Sequence, residues 1–166
     1  MYLEKARPDE FEEYYAIKCE DFNLYWTAGN YSKPPRDNLK RFYDKCMACK
    51  DNEQVRKEIY FIKVDEGEIA GYIYLDIQGE VLDIPISVKK SFTGKGIAKQ
   101  AILQGMRIAK ELGFKRAVGK IREDNIASMK LYIDKCGWVK TDEYVDFYSE
   151  ELKKNIKMFT VYKDLA

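Results

Sequence analysis

A glycine-rich turn between a predicted strand and a predicted helix is the first feature of this sequence that could do chemistry. The chain passes from Val81–Val88 through the turn Thr93–Gly96 into a helical pattern that begins at Ile97. Free N–H groups at a helix N-terminus bind anions, and glycines let a phosphate approach the backbone. The spacing fits neither a P-loop nor a dinucleotide fingerprint, which would need a third glycine at Lys99. We therefore predict a pyrophosphate-binding turn, with a merely connecting turn as the alternative.

A polar stripe on a later predicted helix is the second candidate. Asn125, Ser128 and Tyr132 are spaced i, i+3 and i+7, so they share one helical face. Such a stripe could form one wall of a binding site. Taken singly, each residue has a simpler explanation, Asn125 as a helix N-cap and Tyr132 as an aromatic side chain at the edge of the core.

The absence of histidine restricts the chemistry further. Ser-His-Asp and Cys-His nucleophile systems, HExxH zinc sites and His proton shuttles are excluded, so proton transfer must use other groups. The pair Cys46 and Cys49 has metal-ligand spacing, but it has no partner pair and lies in a charged, helix-like stretch. Two reduced helical thiols are favoured there over a metal or redox site, and we expect no metal.

Length and composition indicate one ordinary domain, residues 1–166. Apolar residues make up 46% and charged residues 34% of the chain, and the net charge is only +1. That balance argues against bulk binding to nucleic acid or to a membrane surface. No apolar run approaches the ~20 residues of a membrane span, and the acidic N-terminus is unlike a signal peptide. We expect a cytoplasmic protein.

The secondary-structure elements that carry these motifs can be predicted from the hydrophobic pattern of the chain. They indicate an α/β domain with a mixed, mostly antiparallel twisted sheet. The order is β-α-α-β-β-β-α-β-α-β-β, with about six to seven strands and about four helices. The segment from Asp21 to Pro35 is predicted to be aromatic and turn-rich. The predicted strands are 2–6, 59–64, 69–77, 81–88, 116–121, 138–148 and 158–163, and the predicted helices are 9–18, 37–49, 97–112 and 125–136.

In this order, the two motifs resemble those of the GNAT family of N-acetyltransferases. The acyl-CoA loop of that family, Q/R-x-x-G-x-G/A, corresponds to Ser91–Gly96, where Ser91 replaces Gln or Arg. The second family motif, N-x-x-S/A-x-x-x-Y-x-x-x-G-F/W, corresponds to Asn125–Trp138, with the Gly-Trp pair one residue further along. The resemblance extends from Glu58 to Lys163 and is weak before it.

The resemblance implies a GNAT-like fold and acetyl-CoA as co-substrate. The glycine turn would hold the pyrophosphate, and the strand Ile86–Val88 would pair its backbone with the pantetheine arm. Tyr132 would protonate the leaving thiolate. The implied cofactor-binding residues are Ile86, Ser87, Val88, Thr93, Gly94, Lys95, Gly96, Ile97, Ala98, Asn125 and Ser128.

The implied reaction is direct attack of an amine on the acetyl carbonyl, with a strand N–H near Val88 holding the oxyanion. Without histidine the base must be a carboxylate, directly or through water. Asp83 is the first choice because it shares the strand that leads to the glycine turn, while Glu80 and Asp76 are weaker choices. A simply solvated Asp83 is the alternative. An acyl intermediate on Cys136 is least favoured.

The acceptor is predicted from the aromatic segment. Tyr25, Trp26 and Tyr31 could form a cation–π cage for an amine, or could simply cover the open end of the sheet. We expect a small-molecule amine as the acceptor. A protein or peptide acceptor, and a CoA-binding regulatory module without transfer activity, are the alternatives. The exposed last strands could also pair two copies into a homodimer.

Overall fold

An eight-stranded sheet with helices on both faces frames the molecule in a computed structural model that describes residues 1–29 and 31–166. The strands are β1 (Tyr2–Lys5), β2 (Val55–Lys63), β3 (Ile69–Gln78), β4 (Val81–Asp83), β5 (Ile86–Val88), β6 (Arg116–Arg122), β7 (Val139–Ser149) and β8 (Lys154–Asp164). The helices are α1 (Phe11–Lys18), α2 (Asp21–Ala28), α3 (Arg36–Ala48), α4 (Ile97–Glu111) and α5 (Ile126–Met129). The strand order is β1-β2-β3-β4-β6-β8-β7, and β5 pairs with β3. Every pairing is antiparallel except the parallel pairing of β4 with β6.

The predicted α/β class and mostly antiparallel sheet are confirmed, but one helix was missed. Helix α2 occupies the first half of the segment predicted to be turn-rich, and Leu24 anchors it with a fully buried side chain. Gly29 ends the helix in the left-handed conformation, with φ of 74°. The glycine and prolines of this segment therefore interrupt helical structure only after Ala28. Asn30, which belonged to the predicted segment, lies outside the described residues.

The predicted third strand of the meander is in fact two strands, separated by Ile84 and Pro85. Pro85 has no N–H to donate to a ladder, which breaks the pairing at this point. Strand β4 meets β6 only at Leu82 and Ala117, while β5 pairs with β3 and not with β6. The sheet therefore splays open between β5 and β6.

The helix after β6 changes its winding along its length. It is α-helical through α5 and becomes a π-helix over Lys130–Lys135, after which the Trp138 N–H donates to the Tyr132 carbonyl at 2.8 Å. A π-helix has a wider turn than an α-helix and is often found at functional sites. The wider turn takes up the extra residue between Tyr132 and Gly137 that separates this sequence from the tight form of the family motif.

Two hydrophobic cores, one on each face of the sheet, hold these elements in place. Helix α4 lies close to the sheet at Gly105, where a β-carbon would come within 2.8 Å of the Ile73 side chain. Helices α1 and α3 cover the other face with an aromatic cluster that includes Tyr14 and Tyr43. Because α4 is packed so tightly, its N-terminus is fixed beside the splayed end of β5.

Candidate active site

A cleft of about 560 Å³ opens where β5 and β6 diverge. Its walls are the β4–β5 segment, the glycine turn before α4, strand β6, the start of α5 with the π-helix, and helix α2. Most of the predicted site residues line it. These are Trp26, Asp83, Ile86, Ser87, Val88, Thr93, Gly94, Gly96, Ile97, Ala98, Asn125, Ser128 and Tyr132, whereas Tyr25, Tyr31 and Lys95 are not among its lining residues.

The glycine turn presents bare backbone to the cleft. Gly94 and Gly96 have φ of 77° and 78°, and a β-carbon on either would meet nothing within 4 Å. Gly96 is the N-cap of α4, so the first amides of that helix point into the same open space. The Thr93 hydroxyl donates to the Lys90 carbonyl at 2.7 Å and fixes the turn. This arrangement is an anion-binding concavity.

Among the residues that the structure describes, no strand pairs with the edge of β5 that faces the cleft. The Lys89 N–H donates to the Ala70 carbonyl at 2.8 Å, and bonding residues alternate along an antiparallel pair. The amides of Ile86 and Val88 are therefore directed away from β3 and toward the gap. The Val88 carbonyl on this edge accepts from the Asn23 side chain at 3.2 Å. The edge can accept an extended, amide-bearing ligand as a strand would.

Tyr132 lines the cleft beside the end of β4. Its hydroxyl donates to the Ile84 carbonyl at 2.6 Å, and its ring packs edge-on against Trp138. Burial, with a smaller contribution from the nearby Asp83 carboxyl, raises the pKa of Tyr132 well above its usual value. The phenol therefore keeps its proton at neutral pH and holds it at the point where β4 ends.

Asp83 lines the same part of the cleft. Burial raises the pKa of Asp83 to about 7, although its Oδ1 accepts the Ile84 N–H at 2.7 Å. Gly119 on β6 leaves room for this carboxyl, because a β-carbon there would lie 2.5 Å from Oδ1. Neither of the two weaker base candidates lines the cleft: Asp76 pairs with Lys57 at 3.8 Å, and Glu80 is exposed in the β3–β4 turn.

The aromatic residues of α2 already enclose a cation that belongs to the chain itself. The guanidinium carbon of Arg122 lies 5.2 Å from the Tyr25 ring and 5.1 Å from the Trp26 ring. Tyr31 stacks on Tyr25 at 5.7 Å and is exposed. Of the three aromatics predicted to bind the acceptor, Trp26 therefore lines the cleft and Tyr25 supports Arg122.

Sequence reasoning missed three residues that shape the site: Asn23, Gly119 and Arg122. A glycine inside a strand pattern often marks a close approach, and this signal could have identified Gly119. The other two carried no signal, because Asn23 lies in a helix that was not predicted and Arg122 is buried only by tertiary contacts.

Burial makes two of the four cysteines poorer nucleophiles. Burial raises the pKa of the Cys136 thiol, which disfavours the thiolate needed for acyl transfer. Burial also raises the pKa of Cys46 to about 11, and all four cysteines are free. Across 1–29 and 31–166, no three Cys, Asp or Glu side chains are grouped to hold a metal ion.

Across residues 1–29 and 31–166, no helix combines the length and apolarity of a membrane span.

Comparison with known families agrees with this geometry. The model of the acetyltransferase (GNAT) family matches residues 11–138, which is more than half of the chain. The chain belongs to the GNAT family. The resemblance predicted from the two motifs is thereby confirmed, and the match begins well before Glu58, where the motifs gave little support. No curated protein matches the chain at a significant level.

Solved structures of GNAT acetyltransferases share the whole fold at low sequence identity. A spermidine N-acetyltransferase from Vibrio cholerae, in complex with CoA and spermine, superposes with a TM-score of 0.84 at 14% identity, covering 99% of this chain and 95% of that chain. A phosphinothricin acetyltransferase from Sinorhizobium meliloti, in complex with acetyl-CoA, gives 0.80 at 13% identity, covering 99% and 88%. A ribosomal-protein-alanine N-acetyltransferase from Brucella melitensis gives 0.77 at 14% identity, covering 99% of each. The names of these three enzymes refer to a polyamine, to phosphinothricin and to a ribosomal protein as acceptors. The shared fold therefore does not identify the acceptor of this chain.

Proposed function

We propose that this GNAT protein transfers the acetyl group of acetyl-CoA to the primary amine of a small molecule, by direct attack within a ternary complex. One observation carries the proposal. Asp83, with a pKa of about 7, and the buried, protonated Tyr132 line the same cleft as the glycine turn at Gly94 and Gly96. Residues suited to act as a base, an acid and a phosphate site thus share one cleft.

The residues of the cleft fit acetyl-CoA, which supplies the acetyl group as a thioester when bound. The turn at Gly94 and Gly96 offers amides and open space for a pyrophosphate. The free edge of β5 offers the Ile86 and Val88 backbone to the amides of the pantetheine arm. Asn125 and Ser128 form the opposite wall, where the Asn125 side chain accepts the Ser128 N–H at 3.1 Å.

Asp83 acts as the general base in this proposal. A carboxyl with a pKa near the working pH is ionised often enough to accept a proton and basic enough to remove one from an ammonium group. Asp83 lies beside the gap in the sheet, where an amine entering from the α2 side would approach the thioester. It receives the proton directly or through one water molecule.

Tyr132 acts as the general acid, and Val88 as an oxyanion donor. With its pKa held well above the usual value, the Tyr132 phenol is protonated and can deliver that proton to the leaving sulfur. The Val88 N–H is directed into the gap and can donate to the carbonyl oxygen as negative charge develops there. The Ile84 carbonyl at the β4–β5 break holds the Tyr132 hydroxyl, and the pairing of β5 with β3 directs the Val88 N–H.

A small acceptor is favoured because α2 forms one wall of the cleft. Phe22, Trp26 and Thr27 from this helix line the cleft opposite the cofactor wall. A wall of this kind encloses a compact amine, whereas a protein substrate needs an open groove. Trp26 is the acceptor contact among the three predicted aromatics.

The test is acetyl transfer from acetyl-CoA across a panel of polyamines, aminoglycosides, free amino acids and short peptides. CoA release would be followed together with the mass of the acetylated product, since the protein's four cysteines contribute their own thiol signal. We expect acceptor-dependent release with at least one small amine. Transfer to peptides alone would change the acceptor class. Binding of acetyl-CoA without transfer to any amine would instead support a non-catalytic module.

A further inference from the structure

Arg122 is a buried cation that the proposed chemistry does not use. It is 3% exposed, at the end of β6. Its Nε and Nη2 donate to the two carboxylate oxygens of Asp124 at 3.0 and 2.8 Å, and its Nη1 donates to the Tyr25 carbonyl at 3.2 Å. The paired, planar geometry of this contact requires arginine and not lysine. The charge is therefore compensated inside the fold.

Three aromatic rings from two different elements surround the same guanidinium. The Arg122 carbon lies 5.2 Å from the Tyr25 ring centroid, 5.1 Å from that of Trp26 and 5.1 Å from that of Phe147 on β7. A desolvated cation over several ring faces is strongly attracted to them. Helix α2 and strand β7 are thus joined through one side chain.

The C-terminal end of α2 rests on the same group of rings. A β-carbon on Gly29 would lie 2.6 Å from the tip of the Phe147 ring, so the helix end and this ring are in direct contact. Phe147 in turn contacts Arg122. Arg122 therefore supports α2 at three points. It contacts Tyr25 and Trp26 directly, and it contacts Gly29 indirectly through Phe147.

The cofactor side of the cleft depends on Arg122 as well. The Arg122 carbonyl accepts the Asn125 N–H at 3.0 Å, and its side chain holds Asp124 in the same turn. Asn125 then caps the next helix through the Ser128 N–H. The backbone bond to Asn125 needs no particular side chain at position 122, but the Arg122 side chain joins the same turn, through Asp124, to the helix that presents Trp26.

We infer that Arg122 is a positioning residue that holds the acceptor wall of α2 against the cofactor wall at the start of α5. It fills the aromatic cage from within, so the cage at Tyr25 supports the site and does not receive a cationic substrate. The inference rests on the proposed function in one respect, that the acceptor binds beside Trp26.

The kinetic test compares Arg122→Ala with Arg116→Ala. Arg116 lies on the same strand, 4.4 Å over the Tyr162 ring and 2.7 Å from Asp164, but it is exposed, which makes it a matched control. We expect the acceptor KM to rise about tenfold or more in Arg122→Ala, since small misplacements of a binding wall cost such factors. The control should keep the wild-type KM. Guanidinium chloride at low millimolar concentration should lower the raised KM again, by occupying the vacated space between the rings and Asp124.

A second readout does not depend on activity. The two tryptophans are Trp26, which is half-buried, and Trp138, which is 2% exposed, so acrylamide quenching reports mainly on Trp26. Quenching should increase in Arg122→Ala and stay unchanged in Arg116→Ala. Unchanged quenching, or an unchanged acceptor KM, would overturn the inference.

The two hypotheses can fail separately. If the wild-type protein acetylates no amine, the proposed function fails, and the quenching comparison alone decides whether Arg122 positions α2. If Arg122→Ala does not fold, Arg122→Lys carries the same comparison, because it keeps the charge between the rings and loses the paired bonds to Asp124. We expect an intermediate KM and intermediate quenching for this variant.

Discussion

The carboxyl group of Asp83 occupies the space that a side chain at position 119 would fill. A β-carbon on Gly119 would lie 2.5 Å from Oδ1 of Asp83, so Gly119→Ala must displace the carboxyl. We expect kcat to fall by roughly 10²-fold, the scale of a misplaced catalytic group, while acetyl-CoA still binds. In an Asp83→Ala background the same substitution should have little further effect on kcat. A full additional loss there would show that Gly119 acts by another route.

The pH dependence of the reaction follows from the raised pKa of Asp83. Because the base must be ionised, kcat/KM for the acceptor should rise about tenfold per pH unit in acid and level off above about pH 7. Asp83→Asn should lose most of the activity and also this inflection. If the residual activity of Asp83→Asn shows the same inflection, the titrating group is the acceptor amine and not Asp83.

Asp83 also makes stability depend on pH, with a sign that can be derived. In the unfolded chain the carboxyl releases its proton near its ordinary value of 3.8, whereas the folded protein retains the proton up to about pH 7. Between these values the folded state binds more protons, so the free energy of unfolding falls as the pH rises. We expect Asp83→Asn to have a higher Tm than wild type at about pH 8, and a smaller advantage at about pH 5. A lower Tm for the variant at the higher pH would contradict a desolvated carboxylate.

Tyr132→Phe separates catalysis from stability when it is compared with Tyr43→Phe. Each phenol donates to a backbone carbonyl at 2.6 Å, Tyr132 to Ile84 and Tyr43 to Arg7, but only Tyr132 lines the cleft. Both variants should lose about 0.5–1.5 kcal/mol of stability from the missing hydrogen bond. Only Tyr132→Phe should lose about 10²–10⁴ in kcat, the range for a proton donor. Near-normal turnover by Tyr132→Phe would remove Tyr132 from the mechanism.

Gly96→Val tests the phosphate turn, with Gly67→Val as its control. Both glycines have left-handed backbone, with φ of 78° and 82°, and both have open space at the β-carbon, so the strain of a side chain is similar. Only Gly96 faces the cleft. The Kd for acetyl-CoA, measured by calorimetry, should rise roughly tenfold or more for Gly96→Val, as expected for the loss of one or two hydrogen bonds at ~1 kcal/mol each. Equal Kd values for the two variants would place the pyrophosphate elsewhere.

The sequence was sufficient for the features that depend on local chemistry. Runs of β-branched and aromatic residues between turn residues predicted the central strands, the 3.6-residue period predicted α1, α3 and α4, and Gly94 with Gly96 predicted the turn before Ile97. The two motifs were enough to indicate the family. The absence of histidine was enough to make a carboxylate the expected base. Each of these inferences uses composition or short local motifs, so no tertiary contact was needed.

Local patterns were less reliable where neighbouring signals overlapped. Turn residues near Gly29 and Pro34 hid the helix α2 that precedes them, and residues 81–88 were predicted as one strand although Pro85 divides them into two. The one-residue excess before Gly137 was visible in the sequence, but its accommodation by a π-helix was not. Helix winding depends on whether the surrounding fold holds Tyr132 and Trp138 in place, which no local pattern encodes.

Only the tertiary structure decided which groups have unusual chemistry. Asp83 titrates near neutrality because Gly119, more than thirty residues away, lets its carboxyl be buried between two strands. The sequence predicted that Tyr25 and Trp26 could surround a cationic acceptor. In the fold these two rings surround a cation of the chain itself, Arg122. Desolvation and cation–π contact depend on distances between segments that are remote in sequence. The residue types set which groups could take part, and the packing set which of them face the cleft.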